Sequence, residues 1–207
     1  MTTVGRWSPN KVRARVLDGT WVSPEELGGM VLLTPTSIAY TGTSATVGAN
    51  GSVDFTACSS LSLNGVFSAD YDNYMILMRN TGNVVDNVVI RLRTGGGDAT
   101  GTNYVDQGLY ANGTSVTGFR QTRSYGYINA NYNTQGLGTT VHVFGPYLSQ
   151  PTAWRSVTEI DVSSAGIYDQ AVTHSLSVSY DGFTVLYEGS PSSTFTGLVS
   201  VYGLVGS

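Results

Sequence analysis

From Met30 onward the chain is written in short runs that alternate apolar with polar residues, each closed by Gly, Asn, Asp or Ser. Alternation at period 2 places the apolar side chains on one face of a strand, whereas a helix would need them at every third or fourth position. The clearest case is Val66–Arg93, VFSADYDNYMILMRNTGNVVDNVVIRLR, where Val88, Ile90 and Leu92 alternate with Val89, Arg91 and Arg93. This run and Tyr74–Met78 read as a strand pair joined across a polar centre at Gly82. Further strands are expected at Met30–Leu33, Ser37–Tyr40, Ser44–Val47, Ser52–Thr56 and Leu61–Leu63, then at Tyr104–Tyr110, Ser115–Phe119, Ser124–Ile128 and Thr140–Phe144. The last are Ser156–Val162, Thr173–Tyr180, Thr184–Tyr187 and Leu198–Leu204. Turn signals every ~8–12 residues and no amphipathic helix predict an all-β, antiparallel sandwich or barrel. The apolar ending LVSVYGLV belongs in the middle of a sheet, since an exposed strand of that kind would invite edge pairing.

The first 36 residues read differently. They carry Arg6, Lys11, Arg13 and Arg15, four of the ten basic residues, together with Trp7 and Trp21. Lys11–Val16 alternates, and Asp18-Gly19 supplies a tight turn into Thr20–Val22, so a small hairpin is expected. Two or three strands bury little by themselves, so this segment needs a surface to lie on. The division is therefore an N-terminal arm over residues 1–36 and a β domain over residues 37–207. Thr94–Asn103, TGGGDATGTN, reads as a surface loop too rich in Gly for a strand.

Only 12% of residues are charged and the formal net charge is −4, while Gly numbers 26 and Tyr 13. An acidic, Lys-poor chain lacks the basic footprint that phosphate backbones require, which argues against nucleic acid as a partner. No long apolar run follows Met1 or occurs elsewhere, so neither membrane insertion nor export by signal peptide is expected. Cys58 is the single cysteine and reads as a small buried hydrophobe.

Four constellations could carry chemistry. Asp70 and Asp72 sit two apart, but a calcium loop draws on more oxygen ligands, and a turn at a strand entry explains them as well. Glu159 and Asp161 project to one side of a strand and could serve a glycoside hydrolase, or could simply make its wet face. His142 and His174 lack metal-ligand spacing, so no metal or cofactor is expected. The stretch Arg120–Gln135, RQTRSYGYINANYNTQ, joins tyrosines, amides and two arginines without a carboxylate. That mixture suits sugar rings or a protein surface, because Tyr gives area at low entropy cost and amides give paired donors and acceptors. Its candidate contact residues are Arg120, Arg123, Tyr125, Tyr127, Asn129, Asn131, Tyr132 and Asn133. A polar hairpin tip or a subunit interface would read the same way.

Several of these stretches together resemble the β-rich C-terminal domains of tailed-bacteriophage virion proteins. They are VFSADYDNYMILMRN, VVIRLRTGGGDATGTNY, VTEIDV and the ending SVSYDGFTVLYEGSPSSTFTGLVSVYGL. The resemblance spans about Pro35 to the end, and KVRARVLDGTWV is similar, more weakly, to Trp-containing attachment modules of minor tail proteins. It implies a jelly-roll-like sandwich in a homotrimer, a structural virion protein released by lysis, and other virion proteins as partners. Trp7, Arg13, Arg15 and Trp21 would then dock the arm to the particle, and the sandwich would meet a host-surface glycan. The expectation is a tail fibre or minor tail protein; a capsid decoration or head-fibre protein and a glycan-active enzyme are the alternatives. No catalytic residue is carried over by the resemblance.

Overall fold

The computed structural model describes residues 29–84, 86–131, 137–160, 166–189 and 192–205. Among them all regular structure is strand: β1 Met30–Leu33, β2 Ser37–Val47, β3 Val53–Asn64, β4 Asn73–Gly82 and β5 Asp86–Thr94. Next come β6 Gly97–Asp98, β7 Tyr104–Asn112, β8 Ser115–Arg123, β9 Gly126–Asn131 and β10 Leu137–Phe144. The chain closes with β11 Thr152–Ile160, β12 Gly166–His174, β13 Gly182–Tyr187 and β14 Phe195–Leu204. Every ladder is antiparallel, in the order β6-β5-β13-β3-β14-β4-β10-β11-β12-β7-β8, with β1 on β14, β2 on β3 and β9 on β5. The sheet curls into a jelly-roll-like β-sandwich around one core, in which Phe55, Leu61, Phe183 and Val199 meet Ile76, Val141, Tyr104 and Trp154.

Strand β9 closes the sandwich. It pairs with β5 on one side and lies across β11, where Trp154 Nε1 donates to the Tyr127 carbonyl (3.2 Å) and Thr158 Oγ1 to that of Ile128 (2.9 Å). This explains an inversion in β11. Its buried side chains are Thr152, Trp154, Ser156 and Thr158, while Val157 is exposed, and of these Trp154 and Thr158 offer donors to carbonyls that would otherwise be orphaned. Gly126 starts β9 hard against the Trp154 ring, where an added Cβ would lie 2.1 Å from a ring carbon.

The expected terminal strand is central: β14 pairs with β3, β4 and β1. Other expectations are corrected. Tyr74–Met78 and Val88–Arg93 are both strands but are not paired with each other. All ten residues of β14 are in register with β4, and β5 takes β13, β6 and β9 instead, so Val66–Arg93 spans the sandwich. The Gly-rich stretch does hold a strand, since Gly95 and Gly96 adopt positive φ (57° and 80°) and return β6 onto Arg93 and Thr94. β12 runs over Gly166–His174, earlier than the expected Thr173–Tyr180, because its inner side chains include Gln170 and His174 and give no apolar alternation. β1 belongs to the sheet although it lies within residues 1–36.

Candidate functional site

The described part of the stretch Arg120–Gln135, residues 120–131, forms no hairpin. β8 pairs with β7 and β9 with β5, so the chain crosses from one layer to the other between Arg123 and Gly126. Arg120 is exposed, Arg123 and Tyr125 are half-buried, and Tyr127 is buried. The side chains of Asn129 and Asn131, and all of Tyr132 and Asn133, lie outside the described residues, as do Trp7, Arg13, Arg15 and Trp21.

The crossing converges on Glu188, just past β13, which sequence reasoning did not single out. Arg123 Nη1 donates to Glu188 Oε1 at 2.5 Å and Tyr125 Oη donates to the same oxygen at 2.6 Å. Tyr127 Oη lies 2.6 Å from both carboxylate oxygens, and Asn87 Nδ2 donates to Oε2 at 2.7 Å. Four donors from β5, β8, β9 and their connection thus bind one carboxylate, with the Arg123 guanidinium stacked 4.4 Å from the Tyr127 ring centre. Burial pushes the Glu188 pKa up, but bonds from Tyr125, Tyr127 and Asn87 and the Arg123 charge outweigh it, and the net shift is down. The Tyr127 hydroxyl is held well above its ordinary pKa, by burial first and then by Glu188, so it is a fixed donor rather than a nucleophile. One signal pointed here: a stretch with two arginines and no carboxylate needs its counter-charge from elsewhere in the chain.

Asp106 lies behind this hub, fully buried. Its Oδ1 accepts the Tyr127 backbone N–H at 3.3 Å, while Oδ2 and Arg123 Nε are 3.7 Å apart, beyond hydrogen-bond reach. Burial raises the carboxyl pKa to about 6, against smaller lowering effects of the Tyr127 N–H and Arg123.

Beside the hub the sandwich opens into a recess of ≈ 180 Å³. Phe119, Tyr127 and Tyr168 supply its rings, and Asn87, Gln121 and Gln170 its amides, with Arg123 at the hub side. The rings form a continuous run: Tyr110 stacks on Tyr168 (4.7 Å), and Phe119 lies 6.4 Å from Tyr168 and 6.2 Å from Tyr127. Gly108 makes this possible, since a Cβ there would lie 2.4 Å from the Phe119 ring. Gln170 is 2% exposed, and its Oε1 has no hydrogen-bond partner. A second hollow, of ≈ 520 Å³, lies on the outer face of β14, β4, β10 and β11, between Leu77, Val157, Leu198 and Tyr202.

The other candidates are placed as architecture or lie outside view. Asp70 Oδ2 accepts from Ser68 Oγ (3.0 Å), and Tyr74 Oη both accepts the Ser68 N–H and donates to its carbonyl. Asp72 contributes its carbonyl to Gly145 N–H. His174 is buried with Nδ1 3.2 Å from Tyr180 Oη, and His142 is exposed on the outer face. Cys58 is buried, with Sγ 3.3 Å from the Ser44 carbonyl and a pKa raised by burial. The Glu159 side chain and Asp161 lie outside the described residues. Among the described residues no three His, Cys, Asp or Glu side chains gather as a metal site.

No protein-family model matches the sequence, and no curated protein does. Among solved structures the chain is similar to domain 4 of AbnA, an extracellular GH43 arabinanase of Geobacillus stearothermophilus in complex with arabinotriose. That overlap covers 86% of this chain and 82% of the other at 11% identity, with a TM-score of 0.32. The Lotus tetragonolobus seed lectin overlaps 82% of this chain and 97% of its own at 9% identity and a TM-score of 0.28. A Bauhinia forficata lectin in complex with GalNAc overlaps 85% and 99% at 7% identity and a TM-score of 0.19. Likeness at this level carries no argument about ligand or activity.

Proposed function

We propose that the chain is a structural protein of a tailed-phage virion, a tail fibre or minor tail protein, whose sandwich binds a host-surface glycan. The observation that carries the binding half is the recess beside Glu188. It combines aromatic faces with amide groups, and the charges next to it are neutralised within the hub. Such a lining matches the two surfaces of a sugar, an apolar ring face and a belt of hydroxyls. The assembly half is supported by the resemblance of FSADYDNY, IRLR and the GGGD loop, residues that the fold uses to shape strand entries and turns. A homotrimer is part of the proposal, and its support is the set of exposed apolar side chains on the outer face, Leu77, Val157 and Leu198 among them.

The test has two parts. Purified chain should bind host cell envelopes in a pull-down, and a Phe119→Ala, Gln121→Ala double variant should lose that binding; equal retention of both proteins would remove the glycan-binding reading. Deleting residues 1–28, which leaves β1 in the sheet, should abolish incorporation into particles, and retained incorporation would sink the docking arm. A labelled copy seen on the head of the particle, not the tail, would turn the assignment to a decoration or head-fibre protein.

A further inference from the structure

We infer that the recess is a subsite for one uncharged sugar ring, whose hydroxyl donates to Gln170 Oε1; this rests on the glycan-binding reading. Gln170 comes from β12 and faces into the sandwich in register with Ser156 on β11 and Gly108 on β7. Its amide oxygen is buried and borders the recess without a partner. A buried acceptor left unpaired costs free energy that a donor arriving with a ligand recovers. A ligand hydroxyl is such a donor. Ser156 Oγ, in register on the neighbouring strand, is also buried and unpartnered, so no hydroxyl there satisfies the Gln170 oxygen.

The walls fix the rest of the ligand. Phe119 and Tyr168 meet at an angle of 58° and offer ring faces to C–H groups, while Gln121 sits exposed at the mouth and can pair with a second hydroxyl. The volume of ≈ 180 Å³ leaves room for a single ring within the recess. Charge is selected against in both directions. An anion could not displace Glu188 from Arg123, because Glu188 is held by three further donors, and buried Asp106 stands behind the same guanidinium. A cation would find the Glu188 oxygens already occupied. What remains attractive is a neutral group carrying hydroxyls on an apolar frame.

The experiment is an NMR titration of the full chain with the methyl glycosides of glucose, galactose, mannose and N-acetylglucosamine, with methyl glucuronide as the charged comparator. At least one neutral glycoside should shift the Phe119 and Tyr168 ring resonances and bind more tightly than the glucuronide. Gln170→Leu should weaken it by roughly tenfold or more, the size of one hydrogen bond to a buried partner, with a thermal midpoint near that of the unaltered chain. Gln121→Ala, at an exposed position that folding does not depend on, should weaken it by roughly threefold. Absence of shifts with every neutral glycoside, preference for the glucuronide, or full affinity in both variants would each overturn the inference. If host envelopes still bind the chain while the monosaccharides do not, only this inference falls; if neither binds, the broader reading falls with it.

Discussion

Opposite ends of strands β5 and β13 are built from the same residue types and end in different states. At one end Arg93 is bound on all sides, by Asp98, Thr184, Asn64 and the Gly96 carbonyl. Nearby, Tyr104 Oη accepts the Leu92 N–H at 3.0 Å and donates to the Ala99 carbonyl at 2.9 Å, and Tyr74 does the same for Ser68. At the other end Arg123, Tyr125 and Tyr127 saturate Glu188, yet the adjoining Gln170 keeps an unpaired buried oxygen beside an open recess. The lesson is that tyrosines and arginines do not mark recognition by themselves. Satisfied groups such as those around Arg93 lock strand crossings in place; an unsatisfied group that borders a recess, as Gln170 does, leaves something for a ligand to do.

The largest expected effects come from the two charge hubs. Glu188→Ala and Arg93→Ala should each lower unfolding free energy by about 3 kcal/mol in urea denaturation, since each strands several part-buried partners. The comparison sharpens if only Glu188→Ala also impairs envelope binding, and it breaks if Arg93→Ala impairs binding equally in the folded fraction.

Next in size is a pH effect at the open end. The Asp106 carboxyl has its pKa raised to about 6 from an ordinary 3.8, so its stabilising contribution is complete below the ordinary value and lost as pH rises through about 6. On the order of 2–3 kcal/mol is at stake. Glu188 runs the opposite way, its contribution present above the ordinary carboxylate range and lost as pH falls through its lowered value. Asp106→Asn should therefore flatten the stability profile between about pH 4 and 6 while leaving the acid limb of Glu188 in place. An unchanged slope, measured by urea denaturation across that range, would show that Asp106 is not buried as an uncompensated acid.

Smaller again, Tyr104→Phe leaves a buried donor and acceptor and should cost about 1–2 kcal/mol. Tyr125→Phe removes a half-exposed hydroxyl from a carboxylate with other donors and should cost well under that, about 0.5 kcal/mol. The smallest stability effect is Gln170→Leu, nearly neutral against the parent, because it removes an acceptor that has no partner. A large loss of stability there would mean that Gln170 is a structural strut and would erase the contrast between the two ends.

Much of the frame was legible because period-2 patterning reports one buried face. The runs of β7, β10 and β14 fall where alternation places them; the expected pairs Ser37–Tyr40 with Ser44–Val47 and Ser52–Thr56 with Leu61–Leu63 each join into one strand, β2 and β3, and Asn50-Gly51 marks the turn between them, with Gly51 at φ 92°. Patterning failed where the inner face is polar. β11 and β12 bury Thr, Ser, Gln and His on their inner faces, so hydrophobic alternation there is absent or inverted. Pairing was illegible for Tyr74–Met78 and Val88–Arg93, since adjacency in sequence favours a hairpin and only the competing claim of β14 on β4 separates them. The site was half legible. Arg123, Tyr125 and Tyr127 stood out by composition, but Glu188 and Gln170 lie 61 and 43 residues from Tyr127, and only the fold brings them together.

The most direct measurement is a crystal structure of the chain grown with the neutral methyl glycoside that binds best. One sugar ring should lie against Phe119 and Tyr168, with a hydroxyl oxygen about 2.7–3.0 Å from Gln170 Oε1. A sugar seated instead on the outer face between Leu77 and Val157, with the recess holding only water, would contradict it.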